Sequence, residues 1–398
     1  MRICRIIHVL PSNEQPGGGL VPYYLAKYIP EPTLYITRRV DGTRPMSAHV
    51  ELATLAFRDT TTPTALRPAI FGPAKRSGLA RFWTQARMLA HMISSDSKFF
   101  RFALRRMARF QPDLVICGSL KRLHYGIAAK YLFRAKLILS LHNTTETAAL
   151  SNLWLLRLLV KIPDRIVVVS AEIGRQLLPF VADEKIRVSS TGVDLGEFVN
   201  RHESRKKQLV TVGAFKWKKG YFYLLEAARL VFNKYPDYRL IIVGDGEERG
   251  EIINHIERLG LTDHVTLKGI VTQEEVVNTL NVSRIFVMAS LHEGLPKALL
   301  EAIACGTPAV ITDGCNAEDI IEQTGLMVPA EDSQALAGAI VTLLEDGTLW
   351  EKCSQNGPAV ARRYDWRAVA ARDYNTYREL FPETSGRNDI RRTACESQ

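Results

Sequence analysis

The sequence predicts an α/β protein built from two doubly wound parallel-sheet domains that face a cleft. Short Val/Ile/Leu runs alternate with helix-period segments along the whole chain, the pattern of strands buried on both faces of a parallel sheet. The alternation breaks once, at the polar segment NRHESRKKQ after Phe198, and then restarts. A chain of 398 residues also exceeds what one ordinary core accommodates and suits two.

In the first half, strands are expected at 3–10, 34–37, 114–117, 136–141, 165–170 and 186–189, with helices such as 21–29 and 80–93 between them. The opening MRICRIIHVLP is interrupted by Arg5 and His8, too short and polar for a signal peptide, so it reads as a first buried strand. The greasiest later stretch, 153–160, contains Arg157 and is followed by Lys161 and Pro163. A membrane-spanning helix needs roughly 20 apolar residues, so this stretch is expected to be a core helix and the protein cytoplasmic. In the second half, strands are expected at 209–213, 239–243, 265–268, 285–288 and 308–312. Helices fall at 220–234, 248–259, 274–280, 296–304, 332–344 and 365–381, and a polar tail occupies 383–398. Domains are therefore expected at 1–197 and 205–365, with a ligand site outside the carboxyl ends of the strands.

Charge is divided unevenly. Residues 1–200 hold 28 Lys/Arg against 14 Asp/Glu, and residues 201–398 hold 24 against 28. A basic half joined to a slightly acidic one implies that the first domain faces an anionic partner. The densest basic patch lies in 75–136, where KFFRFALRRMARF spaces Arg101, Arg105 and Arg109 by four among Phe99, Phe102, Leu104 and Phe110. Such a basic amphipathic helix can lie on an anionic membrane surface, the alternative being a core-packed helix whose basic face is in solvent. No nucleic-acid-binding module is recognisable, so nucleic acid is not expected as a partner. The six cysteines are scattered without CxxC spacing, and no His/Cys cluster has metal-ligand spacing; reduced thiols and no metal or other cofactor are expected.

The chemistry-bearing signal is strongest in ASLHEGLPKALLEAIACGTPAVITD, 289–313. A strand ends, a Gly-containing turn follows, and a helix begins near Pro296, with free backbone N–H groups just before it that form an anion pocket. Glu293 lies in the turn and Glu301 about two helical turns on, where a buried carboxylate needs hydrogen-bonding partners such as a diol. The E-x(7)-E spacing and the following CGTPAV resemble the family-four retaining glycosyltransferases of the GT-B fold, whose two halves are Rossmann-like.

That resemblance implies that Glu293 lies near the transferred sugar and acts in catalysis, and that Glu301 holds the nucleotide ribose. Gly294, Leu295, Pro296 and Leu300 would complete the nucleotide-sugar site. VGAFKWKKG, with Gly213, Lys218 and Lys219, resembles the family loop whose basic side chains neutralise the donor diphosphate, although Ala214 stands where the family has arginine. IIVGDGEE resembles its strand–turn element, and VTLKGIV its base-reading loop, with Val271 as the contact. QPGGGLVPYYLAKYI places Gly18 and Gly19 where the family has paired glycines, and His142 resembles the family's active-site histidine. TGVDLGEF matches the domain-closing segment except for Thr191, and Tyr364–Trp366 resembles the element before a helix, 366–382, that returns to the first domain. The resemblance implies a nucleotide-diphosphate sugar as donor and retention of configuration, and the basic first half then points to a glycan or lipid-linked acceptor and to work at the inner face of the membrane. A non-catalytic nucleotide-sugar-binding subunit, or a transferase for a small soluble acceptor, are the alternatives.

Overall fold

The computed structural model describes residues 1–6, 9–10, 24–25, 27–37, 39–40, 47–54, 97–141, 150, 154–189 and 191–381. Its first sheet draws on β1 (Ile3–Ile6), β3 (Thr33–Thr37), β5 (Val50–Thr54), β6 (Leu114–Cys117), β7 (Lys136–Leu141), β8 (Arg165–Val168) and β9 (Ile186–Val188). These seven strands run parallel in the order β5-β3-β1-β6-β7-β8-β9. Two short strands, β2 (Val9–Leu10) and β4 (Arg39–Val40), pair beside it. Every residue of β1 and β6 is buried, as expected where helices cover both faces.

Those helices include α1 (Ser97–Phe110), α2 (Leu123–Leu132), α3 (Trp154–Leu159) and α4 (Ala171–Leu177). In α1, Phe99, Ala103 and Met107 recur every four residues and are buried, while Lys98, Arg101, Arg105 and Arg109 form the opposite, exposed stripe.

The second sheet is six parallel strands in the order β12-β11-β10-β13-β14-β15. They are β10 (Lys206–Val212), β11 (Arg239–Val243), β12 (Val265–Gly269), β13 (Ser283–Met288), β14 (Ala309–Thr312) and β15 (Gly325–Val328). Around them lie α5 (Tyr221–Lys234), α6 (Arg249–Arg258), α7 (Gln273–Val282), α8 (Lys297–Ala304), α9 (Glu318–Thr324), α10 (Ser333–Glu345) and α11 (Gly347–Ala361). One apolar cluster joins a face of this sheet to α7 and α8, and another joins the opposite face to α5, α6 and α10. The sheet is therefore doubly wound.

The polar joint is shorter than its composition suggests, because β10 begins at Lys206 rather than 209. Arg205, half-buried, explains the early start. Its guanidinium donates to the carbonyls of Leu280, Cys305 and Gly306 and to the Thr307 hydroxyl at 2.9–3.0 Å, anchoring the joint to α7 and α8. The last helix, α12 (Trp366–Arg378), crosses back to the first sheet. There Trp366, Val369, Ala370 and Tyr377 pack with Ile3, Ile29, Leu114 and Ile138. Buried Arg5 donates to the Tyr377 hydroxyl at 3.0 Å, which donates to Asp373 at 3.1 Å.

Candidate active site

The site grows from the carboxyl end of β10. Gly213 follows the strand, its N–H bonded to the Val243 carbonyl at 2.9 Å and its carbonyl receiving the Tyr221 hydroxyl at 2.7 Å. Phe215 then turns inward, fully buried and edge-on to Tyr221. That anchor leaves Trp217, Lys218 and Lys219 to make a single tight turn before α5. Gly220 closes the turn at φ 63°, and a Cβ there would sit 1.9 Å from the Ala289 carbonyl oxygen, so only glycine lets the turn approach β13.

The approach matters because Ala289 leads into the glutamate loop. The Leu291 N–H donates to the Lys218 carbonyl at 2.8 Å, which ties the lysine turn to that loop. The loop is held from its other side as well. The Glu293 N–H donates to the Gly314 carbonyl at 2.8 Å, and the Asn316 side chain donates to the Glu293 carbonyl at 2.7 Å. Glu293 is thereby aimed back at the lysine turn, with its Oε1 2.9 Å from Lys219 Nζ and 3.7 Å from Lys218 Nζ. Both Lys219 and Glu293 are mostly buried, at 17% and 12% side-chain exposure, so their charges are poorly screened. Oε1 itself is buried and no donor is aligned on it as a hydrogen bond. The neighbours register the charge: burial, aided by Glu293, raises the Tyr221 phenol, and burial pushes the Cys315 thiol up to about 12.

Two cations facing one carboxylate leave a net positive turn. The adjoining end of α8 adds to it: Pro296 caps the helix without a side-chain acceptor, and the first turn carries no acid. Helix α8 starts at Lys297, so Pro296 is its cap rather than its first residue. Glu301, one turn in, is nearly fully buried and bonded to Lys297. Lys297 is the site residue that the motif reading passed over, although its four-residue spacing to Glu301 is legible in the sequence. Asn316, which holds the glutamate loop at φ 48°, carries no such signal.

The other expected residues fall in different places. Gly294 is buried and Leu295 partly so, while Leu300 lies wholly within the apolar core. Val271 packs against the same core just before α7, two residues beyond Gly269, which pairs with Gly244. Gly18, Gly19 and His142 lie outside the described residues, as does part of the 75–136 patch. Among the described residues no group of His, Cys, Asp and Glu is arranged to hold a metal, and the five described cysteines are free and buried. A cavity of about 620 Å³ opens between the domains, lined by Ser170, Glu172 and Val188 on one side and Leu295, Asn316 and Glu318 on the other.

Two facing parallel-sheet domains, with a basic turn and a glutamate loop at the carboxyl edge of the second sheet, define a GT-B glycosyltransferase scaffold. The comparisons name the group. The family model Glycosyl transferases group 1 matches residues 195–360, and Glycosyltransferase Family 4 matches residues 61–197. The chain belongs to this family of glycosyltransferases.

Among its relatives, an alpha-D-kanosaminyltransferase of Streptomyces kanamyceticus is 28% identical over 51% of this chain and 54% of its own length. A phosphatidyl-myo-inositol mannosyltransferase of Mycobacterium leprae is 33% identical over 42% of this chain and 45% of its own. The chain thus spans about half the length of these curated relatives in the matched region. The fold extends further: the Anabaena protein Alr3699/HepE, solved in complex with UDP and glucose, superposes with a TM-score of 0.69 at 19% identity, covering 96% of this chain and 100% of that one.

Proposed function

We propose that the chain is a retaining glycosyltransferase that moves a sugar from a nucleotide-diphosphate donor to a glycan acceptor, lipid-linked or part of a growing polysaccharide. The observation that carries this reading is the convergence of Lys218 and Lys219 on Glu293 beside the uncapped N-terminus of α8. A departing nucleoside diphosphate gains negative charge as its bond to the sugar breaks, and fixed cations and helix N–H groups stabilise that charge without reorganising. The half-buried lysine pair is the counter-charge for the diphosphate. Glu293 Oε1, with no aligned donor, is the acceptor for a sugar hydroxyl.

In this reading the bond between the anomeric carbon and the diphosphate oxygen breaks, and the acceptor oxygen bonds the same carbon from the same face. The acceptor proton passes to the leaving phosphate oxygen, so neither a strong protein base nor a metal ion is required. Closure of the domains excludes water from the donor. HepE's complex with UDP and glucose supports a nucleotide-sugar donor, and the mannosyltransferase of a phosphatidylinositol supports a lipid-borne acceptor.

The exposed basic stripe of α1 would hold the first domain at an anionic membrane surface on the cytoplasmic side. No described helix is long and apolar enough to cross a membrane. A second reading, a nucleotide-sugar-binding subunit without turnover, is favoured by Ala214 in place of the family arginine.

Purified protein incubated with UDP-, GDP- and ADP-sugars decides between them. The enzyme binds one donor and releases its nucleoside diphosphate when acceptor is added, and both Lys219→Ala and Glu293→Ala abolish that release. Undiminished turnover in both variants would dismiss the assignment of the site.

A further inference from the structure

Helix α8 breaks an electrostatic rule at its first residue. Helix N-termini favour acids, and a Lys–Glu pair four apart is weaker with lysine on the N-terminal side. Here the first turn has no acid, its cap offers no oxygen, and its first residue is Lys297. Local helix stability does not account for that choice.

The ammonium is also withdrawn from water. Lys297 is 17% exposed, lies over the Phe198 ring at 5.6 Å from its centroid, and bonds Glu301, itself 6% exposed. Phe198 belongs to the segment that joins the domains, so lysine, aromatic ring and glutamate form one packed unit beside the glutamate loop. Among the described residues Lys297 is the one charged partner of the Glu301 carboxylate. A buried carboxylate with a single bond keeps acceptor capacity free, and the bond it has fixes its direction.

We infer that Lys297 is a positioning residue for the nucleoside: it holds Glu301 in the orientation that accepts the ribose hydroxyls of the donor. The inference rests on the donor-site reading above, and it places the lysine's effect on nucleoside recognition rather than on bond cleavage. Removing the ammonium frees Glu301 to rotate and leaves it buried without a counter-charge, so ribose recognition is lost while the Lys219–Glu293 machinery stays in place.

The test is calorimetric titration of the full chain with UDP, GDP and ADP and with their 2′-deoxy counterparts. Wild type binds one ribonucleotide more tightly than its deoxy form. Lys297→Met weakens the ribonucleotide about tenfold, the scale of one charge-assisted hydrogen bond, and abolishes the ribo-over-deoxy preference. Lys297→Arg restores most of both, and the double variant Lys297→Met/Glu301→Gln binds no worse than Glu301→Gln alone. With saturating donor, kcat of Lys297→Met stays within about twofold of wild type while donor KM rises, the signature of lost uniform binding.

Equal weakening of ribo and deoxy forms, or unchanged affinity, overturns the lysine's role. So does a Lys297→Arg variant that folds normally yet fails to restore the preference. Wild-type protein that binds none of the nucleotides would instead remove the donor site itself.

Discussion

Gly220 and Gly250 show how differently two glycines can matter. At Gly220 the backbone is left-handed and a Cβ would press within 1.9 Å of the Ala289 carbonyl; at Gly250, in the first turn of α6, nothing lies within 4 Å. Gly220→Ala is therefore expected to lose more than about 2 kcal/mol and to shift the glutamate loop it abuts, whereas Gly250→Ala gains about 0.5–1 kcal/mol through a less flexible unfolded chain. Urea titration of both variants checks the pair, and equal stability would mean the turn can relax. Lys219 lies beside Gly213, its Nζ 3.6 Å from where a Cβ would stand, so its ammonium is placed by the turn rather than by its own reach. The motifs single out Glu293, Glu301, Lys218 and Lys219 but not Lys297. That Lys218 and Lys219 both face Glu293, while Lys297 meets Glu301, depends on the Lys218–Leu291 backbone bond and on the rotamers of α8.

Elements were legible where apolar runs were long and continuous. The buried strands β6 and β11 and the helices α1 and α5 fall where periodicity places them. Strands β5 and β15, with mixed burial, and helices α9 and α11 were not legible. Each of the two strands lies at the edge of its sheet, where one neighbour is missing and the apolar signature thins.

Asp164 governs another junction, between α2 and β7. It takes Lys130 Nζ at 2.7 Å and the Leu137 N–H at 2.8 Å. Burial alone would raise its pKa, but these two partners together outweigh burial and lower it. Because the folded pKa lies below the unfolded one, the stabilisation is complete above the ordinary carboxylate range and is lost as pH falls through the folded value. Asp164→Asn is expected to cost about 2 kcal/mol at neutral pH. Denaturant midpoints measured from pH 7 down to acid should converge with wild type; a gap that persists at low pH would assign the loss to packing instead.

At the scale of the whole molecule, the two domains are joined twice, by the 198–205 joint and by the return of α12. Trp366 secures the return: it stacks on Tyr24 with ring centroids 4.9 Å apart, and a Cβ on Gly192 would meet its ring at 2.5–2.9 Å. Trp366→Ala should lose about 3–5 kcal/mol and expose α12 to hydrogen exchange ahead of the second domain. Exchange in α12 that stays as slow as in wild type would assign its anchoring to the Arg5–Tyr377–Asp373 chain alone. The charge asymmetry also belongs to this scale. Arg101, Arg105 and Arg109 changed together to glutamate should end sedimentation with vesicles containing anionic lipid, and salt should do the same to wild type. Binding that ignores lipid charge would leave only a soluble acceptor.

What the sequence determined by itself is whatever repeats or is local: the two runs of alternating strand and helix, the basic first half, the seven-residue gap between Glu293 and Glu301, and the pairing of lysines before Gly220. What only the tertiary structure decided is which charges meet. Glu293 meets Lys219 because two loops about 70 residues apart share a backbone hydrogen bond, whereas Lys297, the one charged partner of Glu301 among the described residues, lies one turn away on the same helix. Periodicity records burial along one element, whereas a salt bridge across loops depends on distances that no single stretch of chain encodes.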